Sequence, residues 1–138
     1  MSFRKLVPSL VLACLTAGAS AGPNMRPGLW ETTVRTEMPG MPIAVPPVTT
    51  SSCVRETEVV PQTEQPGQEC EMTDQSVDGD RVSWQIRCNS QGTTMIGNGE
   101  ITYAGDTYTG QVRMNMQQGG QSMQMTQSLE GRRLGDCQ

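Results

Sequence analysis

The sequence predicts an all-β fold: a curved antiparallel meander sheet or a small, partly open barrel, stapled by two disulfides. Fifteen glycines and nine prolines divide the 138-residue chain into short segments. These segments alternate apolar with polar residues at the period of half-buried strands. Only 35% of the residues are hydrophobic and 4% aromatic, which limits the chain to one small domain with a thin core. The cysteines then supply the crosslinks that such a small domain needs.

The N-terminus has the three parts of an export signal. Arg4 and Lys5 form a basic start, an apolar run follows over residues 6–15, and small residues at 19–21 provide a cleavage site. The apolar run is shorter than the roughly 20 residues of a membrane-spanning helix. We therefore expect residues 1–21 to be a signal peptide.

Cleavage after Ala21 would leave a single all-β domain over residues 22–138, periplasmic or secreted and without a transmembrane segment. The loss of Arg4 and Lys5 changes the formal net charge from −4 to −6. An acidic chain is a poor nucleic-acid binder, so nucleic acid is not an expected partner. The minor alternative is a lipoprotein anchored at Cys14, because residues 11–14 resemble a lipid-attachment box.

Four cysteines remain after removal of Cys14, and they are Cys53, Cys70, Cys88 and Cys137. In an oxidising compartment four separated cysteines predict two disulfides, for which three connectivities exist. A zinc or redox-active site is disfavoured, because the sequence has no Cys-x-x-Cys pair and no histidine.

One hairpin selects among the connectivities. Residues 69–76 and 81–88 flank the turn cluster Asp78-Gly79-Asp80. A three-residue loop with Val77 opposite Arg81 gives the facing pairs Cys70 with Cys88, Met72 with Ile86, and Ser76 with Val82. Directly opposed strand residues lie at a separation that a disulfide can bridge. The sequence thus predicts Cys70–Cys88, which leaves Cys53–Cys137 to tie the start of the domain to its end.

The segments before this hairpin are of three kinds. Residues 29–37 alternate as a half-buried strand, and the proline-rich residues 39–47 are expected to form an extended loop. Residues 54–60 are the one place where we expect a helical turn or two.

Two further hairpins complete the predicted meander. Residues 94–103 and 107–116 flank a turn at Gly105, and residues 111–116 and 121–129 flank Gly119-Gly120. The predicted facing pairs are Tyr103 with Tyr108, Ile101 with Gly110, Gly97 with Met114, Met116 with Met123, and Met114 with Met125. One face then carries Val112, the paired methionines and Leu129, and the other carries Gln111, Arg113, Asn115, Gln124 and Thr126.

The paired Met-x-Met strands are the candidate ligand face, formed by Met114, Met116, Met123 and Met125. Methionine commonly fills irregular cores, and this is the simplest interpretation. Thioethers are also soft ligands suited to Cu(I), and a methionine-lined face of a curved sheet suits a small apolar ligand. No metal or cofactor is assigned.

Catalysis is not predicted. The chain has no histidine, and Lys5 is its only lysine, so the usual general bases are missing. The cluster at residues 78–80 lacks the ligand series of a calcium loop and is interpreted as a turn. Arg132 and Arg133 are interpreted as a charged sheet edge rather than an anion site.

Distinctive motifs occur along the expected domain. They are Met25-Arg-Pro-Gly-Leu-Trp-Glu31, Thr36-Glu-Met-Pro-Gly-Met-Pro42, the isolated Cys53, Trp84 with Cys88, and Gly131-Arg-Arg-Leu-Gly-Asp-Cys137. From about Met25 to Cys137 the sequence resembles the bacterial envelope family known as domain of unknown function 3617. The resemblance implies a small exported protein with no assigned activity, and it brings no catalytic residues.

The functional hypothesis is therefore a non-enzymatic binding or envelope-structural module of the periplasm. Its partner is unknown, either an envelope protein or a small apolar ligand. The first alternative is a module that binds an apolar ligand or Cu(I) on the methionine face. An enzyme is the least favoured alternative.

Overall fold

A computed structural model describes residues 22–60, 67 and 69–138, and these residues form a seven-stranded antiparallel sheet without a helix. The strands are β1 (Gly28–Glu37), β2 (Val48–Val54), β3 (Glu69–Asp78), β4 (Arg81–Ser90), β5 (Thr93–Tyr103), β6 (Thr107–Gln118) and β7 (Gln121–Gly135). The predicted all-β class is confirmed. The predicted signal peptide and Cys14 lie outside the described residues.

The strand order is β2-β1-β7-β6-β5-β4-β3. Strands β3 to β7 form the predicted meander. Strand β1 pairs with β7 on the side opposite β6. Strands β2 and β3 each pair with one neighbour, so the sheet is open rather than closed into a barrel. Strand β2 had no counterpart in the sequence prediction. It pairs with β1 from Gly28 opposite Val54 to Val34 opposite Val48.

Both predicted disulfides are present. Cys70 and Cys88 are opposed across β3 and β4 with their Cα atoms 4.0 Å apart. Cys53 on β2 is bonded to Cys137 beyond the end of β7, at a Cα separation of 5.6 Å. The second bond joins residues 84 positions apart, so it fastens the edge strand to the chain end that follows β7.

The register of the β3–β4 hairpin is correct at the cysteines and wrong near the turn. Cys70 faces Cys88 and Met72 faces Ile86 as predicted, but Ser76 faces Ser83 rather than Val82. The turn has two residues instead of three, so Val77 faces Val82 rather than Arg81. A bulge after Thr73 supplies the extra residue, and Asp74 within it has a φ of 50°. The bulge therefore reconciles a tight turn with the cysteine pairing.

The segment after β2 is not helical. Arg55 to Glu58 form a turn in which the Glu58 N–H donates to the Arg55 carbonyl at 3.0 Å. The Glu58 carboxylate also accepts from the Arg55 N–H at 3.1 Å. These two bonds close a single turn, after which Val60 enters the core with 4% of its surface exposed. The predicted helical turns at residues 54–60 were therefore wrong.

The pairings predicted for the later strands are confirmed. Tyr103 faces Tyr108, and Ile101 faces Gly110. Across the next pair of strands, Met114 faces Met125. The other confirmed pairs are Gly97 with Met114 and Met116 with Met123.

Glycines stand opposite the bulky residues of the core. The facing pairs are Trp84 with Gly99, Ile86 with Gly97, Ile101 with Gly110, and Tyr108 with Gly131. At each of these glycines a Cβ atom would collide with the opposing side chain. The bulky side chains therefore lie flat across the neighbouring strand, which allows one sheet layer to bury them.

Aromatic side chains from strands that are not neighbours meet on the apolar face. Strands β1 and β5 are three positions apart in the sheet, which corresponds to about 14 Å in a flat sheet. The ring centroids of Trp30 on β1 and Tyr103 on β5 are nevertheless only 6.3 Å apart. The side chains of Trp30 and Tyr103 therefore lean toward each other over the strands that separate them.

Candidate functional site

The buried apolar residues of the strands lie on one face of the sheet. This face has two parts with different exposure. The first part, the aromatic cluster, consists of Trp30, Tyr103 and Tyr108, each at most 5% exposed. The second part, the methionine face, consists of Met72, Met95, Met114, Met116, Met123 and Met125, which the strand alternation and registers place on the same side as the aromatic cluster.

Every polar side-chain group of the aromatic cluster has a hydrogen-bond partner. The Trp30 indole N–H donates to the Arg26 carbonyl at 2.9 Å, and the Tyr103 hydroxyl donates to the Val59 carbonyl at 2.7 Å. The Tyr108 hydroxyl shares a hydrogen bond of 2.6 Å with the hydroxyl of Thr32. No buried side-chain polar atom among the described residues lacks a partner. This part of the face is a structural core.

Burial changes the ionisation of both tyrosines. It raises the pKa of Tyr103 above the usual value, and the neighbouring Tyr108 raises it further. Burial also raises the pKa of Tyr108, while the hydrogen bond with Thr32 lowers it. Both phenols are therefore neutral over the ordinary pH range, so they serve the core as hydrogen-bonded neutral groups.

The methionine face continues the core without being closed over by described residues. Met72 and Ile86 pack against the core cluster. Farther along the sheet, Met95, Met114, Met116 and Met125 are half-buried, and Met123 is 48% exposed. Apolar side chains with this exposure offer a surface to a ligand while remaining anchored to the protein.

The strand registers order these methionines into two rows. In one row Met95, Met116 and Met123 follow one another across β5, β6 and β7. Cys88 on β4 continues this row beside Met95, so the disulfide adds two more sulfur atoms. Directly opposed strand residues have Cβ atoms about 5 Å apart.

The second row lies two residues along each strand. Met114 and Met125 face each other, and Gly97 faces Met114 on the other side. A Cβ atom at Gly97 would lie 2.8 Å from Ile86 Cγ2 and 3.2 Å from Met114 Cγ. The side chains of Ile86 and Met114 therefore meet above Gly97. This contact marks the boundary between the methionine face and the core.

The structure brings together all four methionines that the sequence singled out. Met114, Met116, Met123 and Met125 form a rectangle on β6 and β7. Sequence reasoning missed Met95, although the same alternation that set Gly97 opposite Met114 also sets Met95 opposite Met116. The rectangle is thus the centre of a larger sulfur-rich surface.

Met38 is a further methionine at the border of this surface. Strand β1 ends at Glu37, which faces Thr126, so continuing the register would set Met38 opposite Met125. The chain instead turns there, with the Met41 N–H donating to the Met38 carbonyl at 3.3 Å. Met38 is half-buried, whereas Met41 is 43% exposed.

The opposite face of the sheet is polar and carries dispersed ion pairs. Arg35 contacts Glu130 at 2.9 Å, and Arg81 contacts Glu100 at 3.0 Å. Within the described part of the chain, no group of three or more cysteines, aspartates, glutamates or histidines could hold a metal ion. Asp80 belongs to a turn, and its carboxylate accepts the Asn24 N–H at 2.9 Å.

Arg132 and Arg133 do not form the charged edge that the sequence suggested. Their strand β7 is central, and consecutive residues of a strand point to opposite faces. Arg132 binds Glu31 at 2.8 Å on the polar face. Arg133 is only 12% exposed and contacts Asp136, and its Nε–H donates to the Pro27 carbonyl at 2.9 Å. It locks the start of β1 against the end of β7.

Comparison with known proteins gives a family and no activity. Residues 25–137 match the family described as "Protein of unknown function (DUF3617)", and the chain belongs to this family. No curated protein and no solved structure matches the chain. Among the described residues, no helix is long and apolar enough to cross a membrane.

Proposed function

We propose that this protein is exported to the periplasm and acts there as a non-enzymatic binding module, with the methionine face as its ligand surface. The observation that carries the proposal is the contrast within one sheet face. Its aromatic end is buried and its polar groups are all hydrogen-bonded, whereas the residues of its methionine end are partly exposed, Met123 to 48%. A contiguous apolar patch that stays partly exposed is typical of an interaction surface.

Export is supported by the N-terminal sequence and by the crosslinks. Residues 1–21 have the pattern of a signal peptide. The two disulfides belong to an oxidising compartment, since the cytosol keeps most thiols reduced. The domain that remains after cleavage would extend over residues 22–138.

A non-enzymatic role is supported by the distribution of reactive groups. The chain contains no histidine. The cysteines at 53, 70, 88 and 137 are held in disulfides and offer no thiolate. The buried tyrosines are engaged in hydrogen bonds and stay neutral, so they do not provide a general base near neutral pH.

Intact mass measurement tests export. The full chain with a C-terminal tag is produced in a bacterium that has a periplasm, and its fractions are weighed. We expect a periplasmic form that begins at Gly22 and contains two disulfides. A diacylated form beginning at Cys14 in the membrane fraction would contradict the predicted cleavage site.

Binding of an apolar fluorescent probe tests the ligand surface. The oxidised protein, residues 22–138, is titrated with anilinonaphthalene sulfonate, whose emission rises on apolar surfaces. We expect saturable binding that the double variant Met116→Gln/Met123→Gln weakens. The matched control is Asn115→Ala/Gln124→Ala, which changes the opposite face of the same two strands. Equal probe binding by all three proteins would refute the proposal.

A further inference from the structure

We propose that the methionine face is a Cu(I) site, formed by the thioethers of Met114, Met116, Met123 and Met125. This inference rests on the proposed function, because it names the ligand class of the same face. It is carried by the rectangle in which the registers of β6 and β7 set these four residues.

The dimensions of the rectangle fit one metal ion. Its short side is the distance between opposed Cβ atoms, about 5 Å, and its long side is two residues of strand, about 6.7 Å. Each Cβ atom therefore lies roughly 4 Å from the centre. A methionine sulfur lies two bonds beyond Cβ, and a metal–sulfur bond adds about 2.3 Å, as in zinc thiolate sites. All four sulfurs can reach an ion above the centre.

The chemistry of the face selects a soft, monovalent ion. Thioethers are soft ligands that prefer Cu(I), whereas carboxylates and carbonyls prefer hard cations. The residues that surround the rectangle on the same face are uncharged, and they include Met95, Gly97, Gln118 and Gln127. A hard divalent cation finds no anionic ligand there. The formal net charge of −4 for the chain favours cation approach in general.

A neighbouring methionine adds a further sulfur beside the rectangle. Met95 lies beside Met116 in the same row. A chain that needed only core volume would be served by leucine, whose rotamers are better defined. The exposed end of the face is instead built from methionine. Each of these side chains is partly buried and carries a thioether sulfur that can bind a metal ion.

A Cu(I) competition titration tests the site. The oxidised protein, residues 22–138, is titrated without oxygen against the coloured Cu(I) complex of bicinchoninate. We expect one equivalent of Cu(I) to be withdrawn with an affinity tighter than micromolar. In parallel, Ag(I), a redox-inert substitute, should shift the NMR signals of the four methionine methyl groups and leave that of Met25 in place.

The decisive variant replaces all four methionines by leucine, a volume-conserving change of the kind that cores tolerate best. Loss of outer-shell partners already lowers metal affinity by roughly 10–100-fold, so removal of the ligands should lower it by at least about 100-fold. Met41→Leu, which changes an exposed methionine away from the rectangle, should bind as the parent does. If the quadruple variant fails to fold, the doubles Met114→Leu/Met125→Leu and Met116→Leu/Met123→Leu take its place.

Two results would overturn the inference: a parent protein with no affinity for Cu(I) tighter than micromolar, or leucine variants that bind as the parent does. The anilinonaphthalene sulfonate titration separates this failure from failure of the proposed function. If the probe binds to the methionine face while Cu(I) does not, the face is a ligand surface and the copper site is wrong. If neither binds, both proposals are wrong.

Discussion

The indole ring of Trp84 lies flat over Gly99 on the neighbouring strand, in the space that a side chain at position 99 would occupy. Both residues are buried, and the same relationship joins Tyr108 to Gly131 on β7. The large side chains of this single sheet therefore pack over glycines of the neighbouring strands, not between two sheets. This arrangement makes the glycines part of the core and leads to the first prediction.

Gly99→Ala should lower the free energy of unfolding by about 1–3 kcal/mol, because the added Cβ would displace the Trp84 ring from a packed position. Urea unfolding of the oxidised protein measures the change. Gly135→Ala is the control, since a Cβ at Gly135 meets no atom within 4 Å, and it should stay within about 0.5 kcal/mol of the parent. Equal effects of the two substitutions would contradict the proposed packing.

The two disulfides should contribute unequally to stability. In the chain-entropy description, the Cys53–Cys137 bond across 84 residues is worth about 4.6 kcal/mol and the Cys70–Cys88 bond across 18 about 3.2 kcal/mol. Replacing both members of each pair by alanine should therefore lower the urea midpoint more for Cys53/Cys137. The reverse order would show that hairpin packing around Cys70, rather than chain entropy, dominates.

Replacement by alanine should lower the free energy of unfolding more at Arg133 than at Arg132, although the two residues are consecutive in β7. Arg133→Ala removes a side chain that is 12% exposed, with its packing and its hydrogen bond to the Pro27 carbonyl, so we expect a loss of about 1–2 kcal/mol. Arg132→Ala breaks an ion pair whose arginine is 68% exposed, and we expect a loss of at most about 1 kcal/mol. Thermal unfolding of both variants gives the comparison, which fails if Arg132 proves the more costly.

The buried tyrosines should make the fold sensitive to alkali. Their pKa values are raised in the folded state, so below the unfolded pKa of about 10 they are protonated in both states and add no pH dependence. Above that pH the unfolded chain releases protons that the folded chain retains, and the free energy of unfolding falls as the pH rises.

Tyr103→Phe tests this origin of the alkaline sensitivity. Urea unfolding between pH 8 and 11 should show a flatter decline above about pH 10 for the variant, by up to about 1.4 kcal/mol per pH unit. The variant also loses the hydrogen bond to the Val59 carbonyl, so its stability at pH 8 should be lower by about 1 kcal/mol. An unchanged alkaline slope would assign the effect to other groups.

Much of the fold could be predicted because it is built from hairpins. The alternation within β5, β6 and β7 and the Gly119-Gly120 turn sufficed to pair Met114 with Met125. The same logic brought Cys70 opposite Cys88. It failed at Ser76, because a bulge can move a register without leaving a distinct pattern in the sequence.

The candidate site was predicted in its centre and missed at its borders. The four methionines of the rectangle follow from local register, and Met95 follows from the same pattern once β5 is extended to it. Met38 could not be found in this way. Its position depends on β1 lying beside β7, a contact between segments about ninety residues apart in the chain.

The sequence by itself determined the all-β class, the meander and its hairpin pairings, because strand alternation and turn residues act over a few positions. It also determined the disulfide partners, since one hairpin pairing left only the other bond. Only the tertiary structure decided that β2 and β1 complete an open sheet, that Trp30 meets Tyr103, and that Arg133 faces inward. These features depend on which distant segments become neighbours, and that choice is made by the burial of a shared apolar face rather than by any local pattern.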